Sequence, residues 1–322
     1  MSAFTCMIPS LPKDYHRTKT QYHRLFECLD INKIVFVGPP ELEECIKTDY
    51  DSGIYGEHKI EYLNEREILP FEEIKLALSK QLTEKNKVGT SSTGWYYQQF
   101  LKMKFSDYCD GEYYLCWDAD TIPLRRIDMF SEDGKPYFDV KSECQSRYFS
   151  TIQNLFGFSK VIEKSFVSEH MIFKKDFMRD MISEIESTSF EGKTFYEKIF
   201  SAAGSENIDL GFSEFETYGT WVAMRHTSAY KLRNWKSFRN TNFFIDISEL
   251  SQEDVDWLSK DYDAATFEKY QSTVPELTEF FRDPRYREKL SPQQFYQAVL
   301  ESNIMGNYSN GAIESDGFIF PA

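Results

Sequence analysis

Tyr113-Tyr-Leu-Cys-Trp-Asp-Ala-Asp-Thr-Ile-Pro123 is the stretch that decides the fold. Its apolar and aromatic first half reads as a buried strand. The strand runs into two carboxylates, Asp118 and Asp120, separated by Ala119. Alternation along an extended segment turns both to one side. In an open α/β sheet, ligands gather at the carboxyl ends of the strands. Adjacent carboxylates repel there unless a cation lies between them, and an all-oxygen ligand set suits Mg²⁺ or Mn²⁺ bridging to a phosphate. The stretch therefore points to a metal site for a diphosphate. The plainer alternative is a turn cap at Asp118 and a solvated Asp120, since Asp-x-Asp arises by chance in a chain with 52 Asp plus Glu. The apolar strand ahead favours the metal reading, as does Thr121-Ile122-Pro123-Leu124 behind, where proline stops the ladder.

Just before this strand, residues 94–108 predict a helix. Trp95, Gln98, Gln99, Lys102 and Phe105 recur at spacings of three and four and so share one broad face. That face mixes aromatic, amide and cationic groups close to the carboxylates. Lys102 is then a candidate to neutralise a phosphate, and the amides to read a base or sugar; the alternative is a lysine that snorkels to solvent.

Upstream, residues 4–10, 33–38 and 59–63 read as short strands, and 14–29 as a helix burying Tyr22, Leu25, Phe26 and Leu29. A short helix is expected over 41–47. Strands alternating with helices predict a doubly wound, mainly parallel sheet. The Gly-x-Gly-x-x-Gly fingerprint is absent. Downstream, 133–150 reads as a loop or hairpin, 165–174 as a strand, and 176–187 and 192–203 as helices broken at Gly204. A further helix begins at Ser213-Glu214-Phe215-Glu216, a capping-box pattern that explains Glu216 and leaves Glu214 to point into a cleft. Residues 230–246 look extended and basic. The organisation expected is a catalytic domain over 1–250 and a helical extension over 251–322, whose Gly/Asn/Ser-rich end, 306–317, reads as an appendage or oligomer arm.

Composition bounds the function. The chain has 322 residues and a net charge of −15, which argues against nucleic acid as main partner. The excess of aromatics, 28 Phe and 20 Tyr, suits stacking surfaces as well as core. Six cysteines, Cys6, Cys28, Cys45, Cys109, Cys116 and Cys144, form no CxxC pair, so neither a disulfide framework nor a zinc site is expected. With no signal-peptide pattern and no run of roughly 18 apolar residues, the expectation is a cytoplasmic protein; peripheral membrane association and homo-oligomerisation stay open.

Taken in order, Gly94-Trp95-Tyr-Tyr-Gln98-Gln99-Phe-Leu-Lys102, Trp117-Asp118-Ala119-Asp120-Thr121, Ser168-Glu169-His170-Met171 and Ser213-Glu214-Phe215-Glu216-Thr217-Tyr218-Gly219 resemble the GT-A class of nucleotide-sugar glycosyltransferases. The likeness extends to a poorly characterised bacterial branch tied to surface polysaccharide and covers residues 3–245. It implies a GT-A-like (Rossmann-like) fold, a nucleotide-sugar donor with UDP-sugar foremost, a glycan acceptor, and Mn²⁺ or Mg²⁺. It also implies Asp120 as metal ligand, Asp118 as ligand or ribose contact, and Ile8-Pro9-Ser10 as lining for the nucleotide. Glu214 would be the base of an inverting reaction, with Glu216 second. His226 is a remote metal candidate. Trp117 is a candidate stacking partner, and His170 a candidate contact for donor or acceptor.

Three rivals remain. A haloacid-dehalogenase-type phosphatase also ends an apolar strand in Asp-x-Asp, but Ile122 stands where that motif wants Thr or Val. A sugar nucleotidylyltransferase needs a glycine-rich basic start, and Met1 to Lys13 has no glycine. A non-catalytic carbohydrate-binding protein would bind glycan without donor turnover.

Overall fold

The computed structural model describes residues 4–82, 90–142, 145–302 and 304–305. The chain forms two compact units, each built from separate stretches of sequence.

The first unit comprises Met1–Pro12, Ile31–Asp118 and Met129–Asn234. Its central sheet contains β1 (Phe4–Pro9), β2 (Ile31–Gly38), β3 (Ile60–Asn64), β4 (Tyr113–Trp117) and β7 (His170–Lys174), in the order β3-β2-β1-β4-β7. The first four are mutually parallel, and β7 runs antiparallel to β4. β1, β4 and most of β2 are continuous apolar runs, the pattern of strands covered on both faces. This is the mixed, mainly parallel sheet flanked by helices that the sequence predicts.

One consequence positions the site. The carboxyl ends of β1 to β4 and the amino end of β7 share an edge, so Ser10, Gly38, Asn64, Asp118 and His170 all lie along it. Helices α1 (Thr90–Lys104), α2 (Lys175–Ser187) and α3 (Glu214–Arg225) bury aromatic and aliphatic side chains in the same core as the sheet. Phe100 and Phe195 meet edge-on at 5.5 Å, and Tyr96 and Phe200 at 5.0 Å, the preferred geometry for ring quadrupoles.

The expected loop over 133–150 is instead β6 (Tyr137–Val140) and the start of a helix, Ser146–Phe156. β6 pairs in parallel with β8 (Lys231–Asn234). A four-residue strand whose partner lies more than ninety residues on leaves no local signal. The expected break at Gly204 is real: its φ of 69° kinks helix Phe195–Asn207, a conformation open to glycine.

The second unit comprises Lys13–Asp30, Ala119–Asp128 and the chain from Trp235 onward. This partition does not follow the division expected at residue 250. Ile122 and Leu124 pack into a core with Phe238, Phe244, Trp257, Phe281 and Phe295, which ties an internal segment to the tail. Nor is this part purely helical. β5 (Thr121–Pro123), β10 (Ala264–Thr266) and β9 (Ser237–Phe238) form a small sheet in the order β5-β10-β9. The helix expected over 14–29 is two short ones, Pro12–Thr18 and His23–Cys28, joined by a 3₁₀ turn. Buried Asp254 pairs with Arg287, whose guanidinium lies over the Trp257 and Phe281 rings. The proposed arm, 306–317, and Cys144 lie outside the described residues. No described helix is long and apolar enough to cross a membrane.

Gly38 marks the tightest approach at the site edge. A Cβ there would stand 2.2 Å from the Ser10 carbonyl oxygen and 2.7 Å from Leu42 Cδ2. Backbone cannot yield as a flexible side chain does. Gly38→Ala is expected to destabilise the protein by about 1–3 kcal/mol, read as a lower urea midpoint at unchanged slope; an unchanged midpoint would refute the close packing.

Candidate active site

Lys102 sits near the end of α1, Asp118 directly follows β4, and Glu214 opens α3. The Lys102 Nζ lies 2.8 Å from Asp118 Oδ1 and 2.7 Å from Glu214 Oε1. It also lies 4.3 Å from the centre of the Phe215 ring. Gln99, one turn before Lys102, accepts the Glu214 N–H at 3.1 Å. One face of α1 therefore holds both the backbone and the side chain of Glu214.

Exposure separates the three roles. The Lys102 and Glu214 side chains are 4% and 5% exposed, whereas Asp118 is 35% exposed. Asp118 alone of the three presents itself substantially to solvent. Burial works against the Lys102 charge, but Asp118 and then Glu214 outweigh it and its pKa is raised. Burial pushes the Glu214 carboxyl up, Lys102 pulls it back, and Asp118 adds to the rise; the net direction is upward. Two carboxylates share one ammonium, so with all three ionised the group keeps one negative charge.

Asp118 is also fixed through its backbone, where its N–H donates to the Glu169 carbonyl at 2.9 Å. Glu169 in turn pairs with Lys141. Trp117 and His170 are partners in the β4–β7 ladder, and their rings stack at 4.9 Å. His170 Nε2 meets Asp139 Oδ2 at 2.8 Å. Burial raises the Asp139 pKa, but Arg233 and His170 outweigh it and the net shift is downward.

Glu216 faces elsewhere. Its N–H bonds back to Ser213 Oγ at 3.3 Å, half of the expected capping box. Its carboxylate leaves the helix end and accepts from the Ser165 hydroxyl and from the Phe166 N–H at 3.0 Å. Oε1 is buried with no hydrogen-bond partner among the described residues. Burial pushes this carboxyl up to about 7, against the pull of Ser165 and Phe166.

Several sequence assignments change. Glu214 is enclosed in an ion pair and does not point freely into a cleft. Lys102 is likewise engaged and buried, not extended toward a phosphate. Gln98 is exposed; its neighbour Gln99 is the amide at the site. β4 ends at Trp117, and Ala119 and Asp120 form a turn, so strand alternation does not govern the two aspartates. Asp120 belongs to the second unit, where its carbonyl accepts the Phe267 N–H at 2.8 Å. His226 caps the end of α3 and stacks on Phe177 at 3.8 Å, a structural setting. Ile8 is buried, Pro9 half-buried, and Ser10 buried with its N–H on the Val37 carbonyl. Asp139, Arg233, Ser165 and Lys141 were not foreseen. Their partners lie 28 to 94 residues away, so no local pattern marks them.

Among the described residues, no group of three or more His, Cys, Asp or Glu side chains is arranged to hold a metal ion. Mg²⁺ bound chiefly through substrate phosphates needs only one or two protein carboxylates. Asp118, engaged through Oδ1 and partly exposed, is one carboxylate of that kind.

Fold and site together define a mixed α/β protein with an acidic, lysine-braced group at the carboxyl edge of a mainly parallel sheet. The chain belongs to DUF6492, a family of unknown function, whose profile matches residues 17–283. No curated protein matches its sequence. Among solved structures it is similar to mouse xyloside xylosyltransferase 1 in its apo form (TM-score 0.46, 10% identity, 85% of this chain and 100% of that one). It is also similar to the apo glycosyltransferase GlyE of Streptococcus pneumoniae (0.38, 11%, 94% of this chain and 64% of that one). A third is galactosyltransferase LgtC in complex with donor and acceptor sugar analogues (0.38, 10%, 92% and 95%).

Lys102→Met leaves two carboxylates facing each other and is expected to destabilise the fold by about 3–5 kcal/mol at pH 7. The loss shrinks as pH falls, because burial already pushes the Glu214 carboxyl up and its protonation removes the repulsion; urea unfolding at pH 7 and at a lower pH checks this. Glu216 gives a second pH signature. Its folded pKa of about 7 lies above the reference 4.5, so the folded state holds the extra proton between them. Stability is therefore lost as pH rises through that window, by roughly 3 kcal/mol at 1.36 kcal/mol per unit. Glu216→Gln should flatten the dependence of unfolding midpoint on pH between 5 and 8.

Proposed function

We propose that this protein is a glycosyltransferase that moves a sugar from a nucleoside-diphosphate donor to a hydroxyl of a glycan acceptor, in surface-polysaccharide synthesis. The observation that carries the reading is the solvent-facing Asp118 carboxylate, set at the carboxyl edge of the sheet upon the buried Lys102–Glu214 pair. Ligands of open α/β sheets collect at this edge.

In this reading Asp118 takes the divalent cation, Mg²⁺ or Mn²⁺, of the donor diphosphate; Asp120 enters on its spacing alone. When bound, the cation neutralises charge that builds on the departing diphosphate. Lys102 holds Asp118 Oδ1, so the carboxylate meets its ligand in one orientation, and Glu214 keeps Lys102 charged and in place. Ser10 and Gly38, on the same edge, present backbone where the nucleotide would lie. Glu214 and Glu216 are both enclosed, so neither is retained as the base that accepts the acceptor proton.

The test is thermal denaturation with UDP, GDP, CMP or ADP, each with and without Mn²⁺. A ligand that binds only the folded state raises the midpoint. One nucleotide should raise it by a few degrees only when Mn²⁺ is present, and Asp118→Asn should abolish that rise. No response from an intact fold, together with hydrolysis of aryl phosphates, would replace the transferase with a phosphatase.

A further inference from the structure

Behind the Trp117–Asp118 corner lies a line of polar contacts that the proposed chemistry does not use. Arg233 on β8 grips both oxygens of Asp139 on β6, Nε to Oδ1 at 2.7 Å and Nη2 to Oδ2 at 2.6 Å. The same Oδ2 meets His170 Nε2 at 2.8 Å. The imidazole lies on the Trp117 indole with 27° between the planes. Trp117 precedes Asp118, and His170 follows Glu169, whose carbonyl takes the Asp118 N–H. Every member thus leads, by direct contact or one peptide bond, to the carboxylate that faces solvent.

Core packing alone does not call for such a line. A buried carboxylate carries a large desolvation penalty that apolar residues of the same volume avoid. Here Asp139 is fully buried and held by a bidentate fork, the geometry that fixes orientation best. The ring it orients is the one stacked on the residue before Asp118. Outer groups of this kind set the affinity of the ligand residue that they hold.

We propose that Asp139 and His170, clamped by Arg233, are positioning residues that fix the Trp117 ring and, through it, the Asp118 carboxylate that receives the donor diphosphate and its cation. The inference rests on the reading of Asp118 given above. It assigns His170 an indirect role, behind the ligand rather than against it.

The experiment uses the full chain labelled with 5-fluorotryptophan, the Trp117 resonance being identified by its loss in Trp117→Phe. Affinity is measured by calorimetry with Mn²⁺ plus UDP and Mn²⁺ plus GDP. In Asp139→Asn the Trp117 resonance is expected to move and the affinity to fall at least about tenfold. Arg233→Gln should weaken binding as well, and Arg233→Lys, which keeps the charge but loses the fork, should weaken it less. Arg233 is 27% exposed, so its variants decide the question if Asp139→Asn does not fold. Affinities within about twofold of a parent that binds would overturn the positioning role and leave the proposed function standing. A parent that binds neither nucleotide would overturn both.

Discussion

A single buried ammonium, Lys102, organises the molecule around its candidate site. Taking a charge out of water is expensive, and it is tolerated here because two carboxylates meet it. Those carboxylates come from the end of a strand and the start of a helix. The cation therefore fixes α1, β4 and α3 against one another at a single point. Glu214 also sits in the first turn of α3, where the helix dipole favours negative charge. The result is an acidic group whose outer member faces solvent and whose inner members do not.

What bears on function is that the partly exposed carboxylate, the braced corner behind it and two strand ends, Ser10 and Gly38, occupy one edge. The parallel run of β1 to β4 creates that edge, and the reversed β7 completes it by bringing its first residue there. A fifth parallel strand would have sent His170 to the far side of the sheet.

Much of this could be read from the chain. The strand at Tyr113, the helix carrying Lys102 and the helix opening at Glu214 carry strong local patterns, and the structure shows all three. What escaped was pairing at a distance. Gln98 and Gln99 are neighbours in sequence, and periodicity could not say which faces the site. The aspartates 118 and 120 look like one motif, yet a turn and a unit boundary lie between them. β6 and β8 are too short to announce themselves. The second unit is hidden more deeply, because Ile122 and Leu124 reveal their role only beside aromatic side chains more than a hundred residues later.

The span of the Lys102–Glu214 contact, 112 residues, has a meaning for synthesis. As the chain leaves the ribosome, the lysine and Asp118 emerge long before Glu214, and the fork of Arg233 comes later still. The second unit waits longer, since Arg17 finds the Phe267 carbonyl 250 residues on. Contacts of such separation form slowly, because loop closure must precede any gain from them. A half-made chain therefore carries exposed apolar strands and an unfinished acidic group together. A chain cut before Glu214 would keep Lys102 and Asp118 but lack the second carboxylate that meets the ammonium.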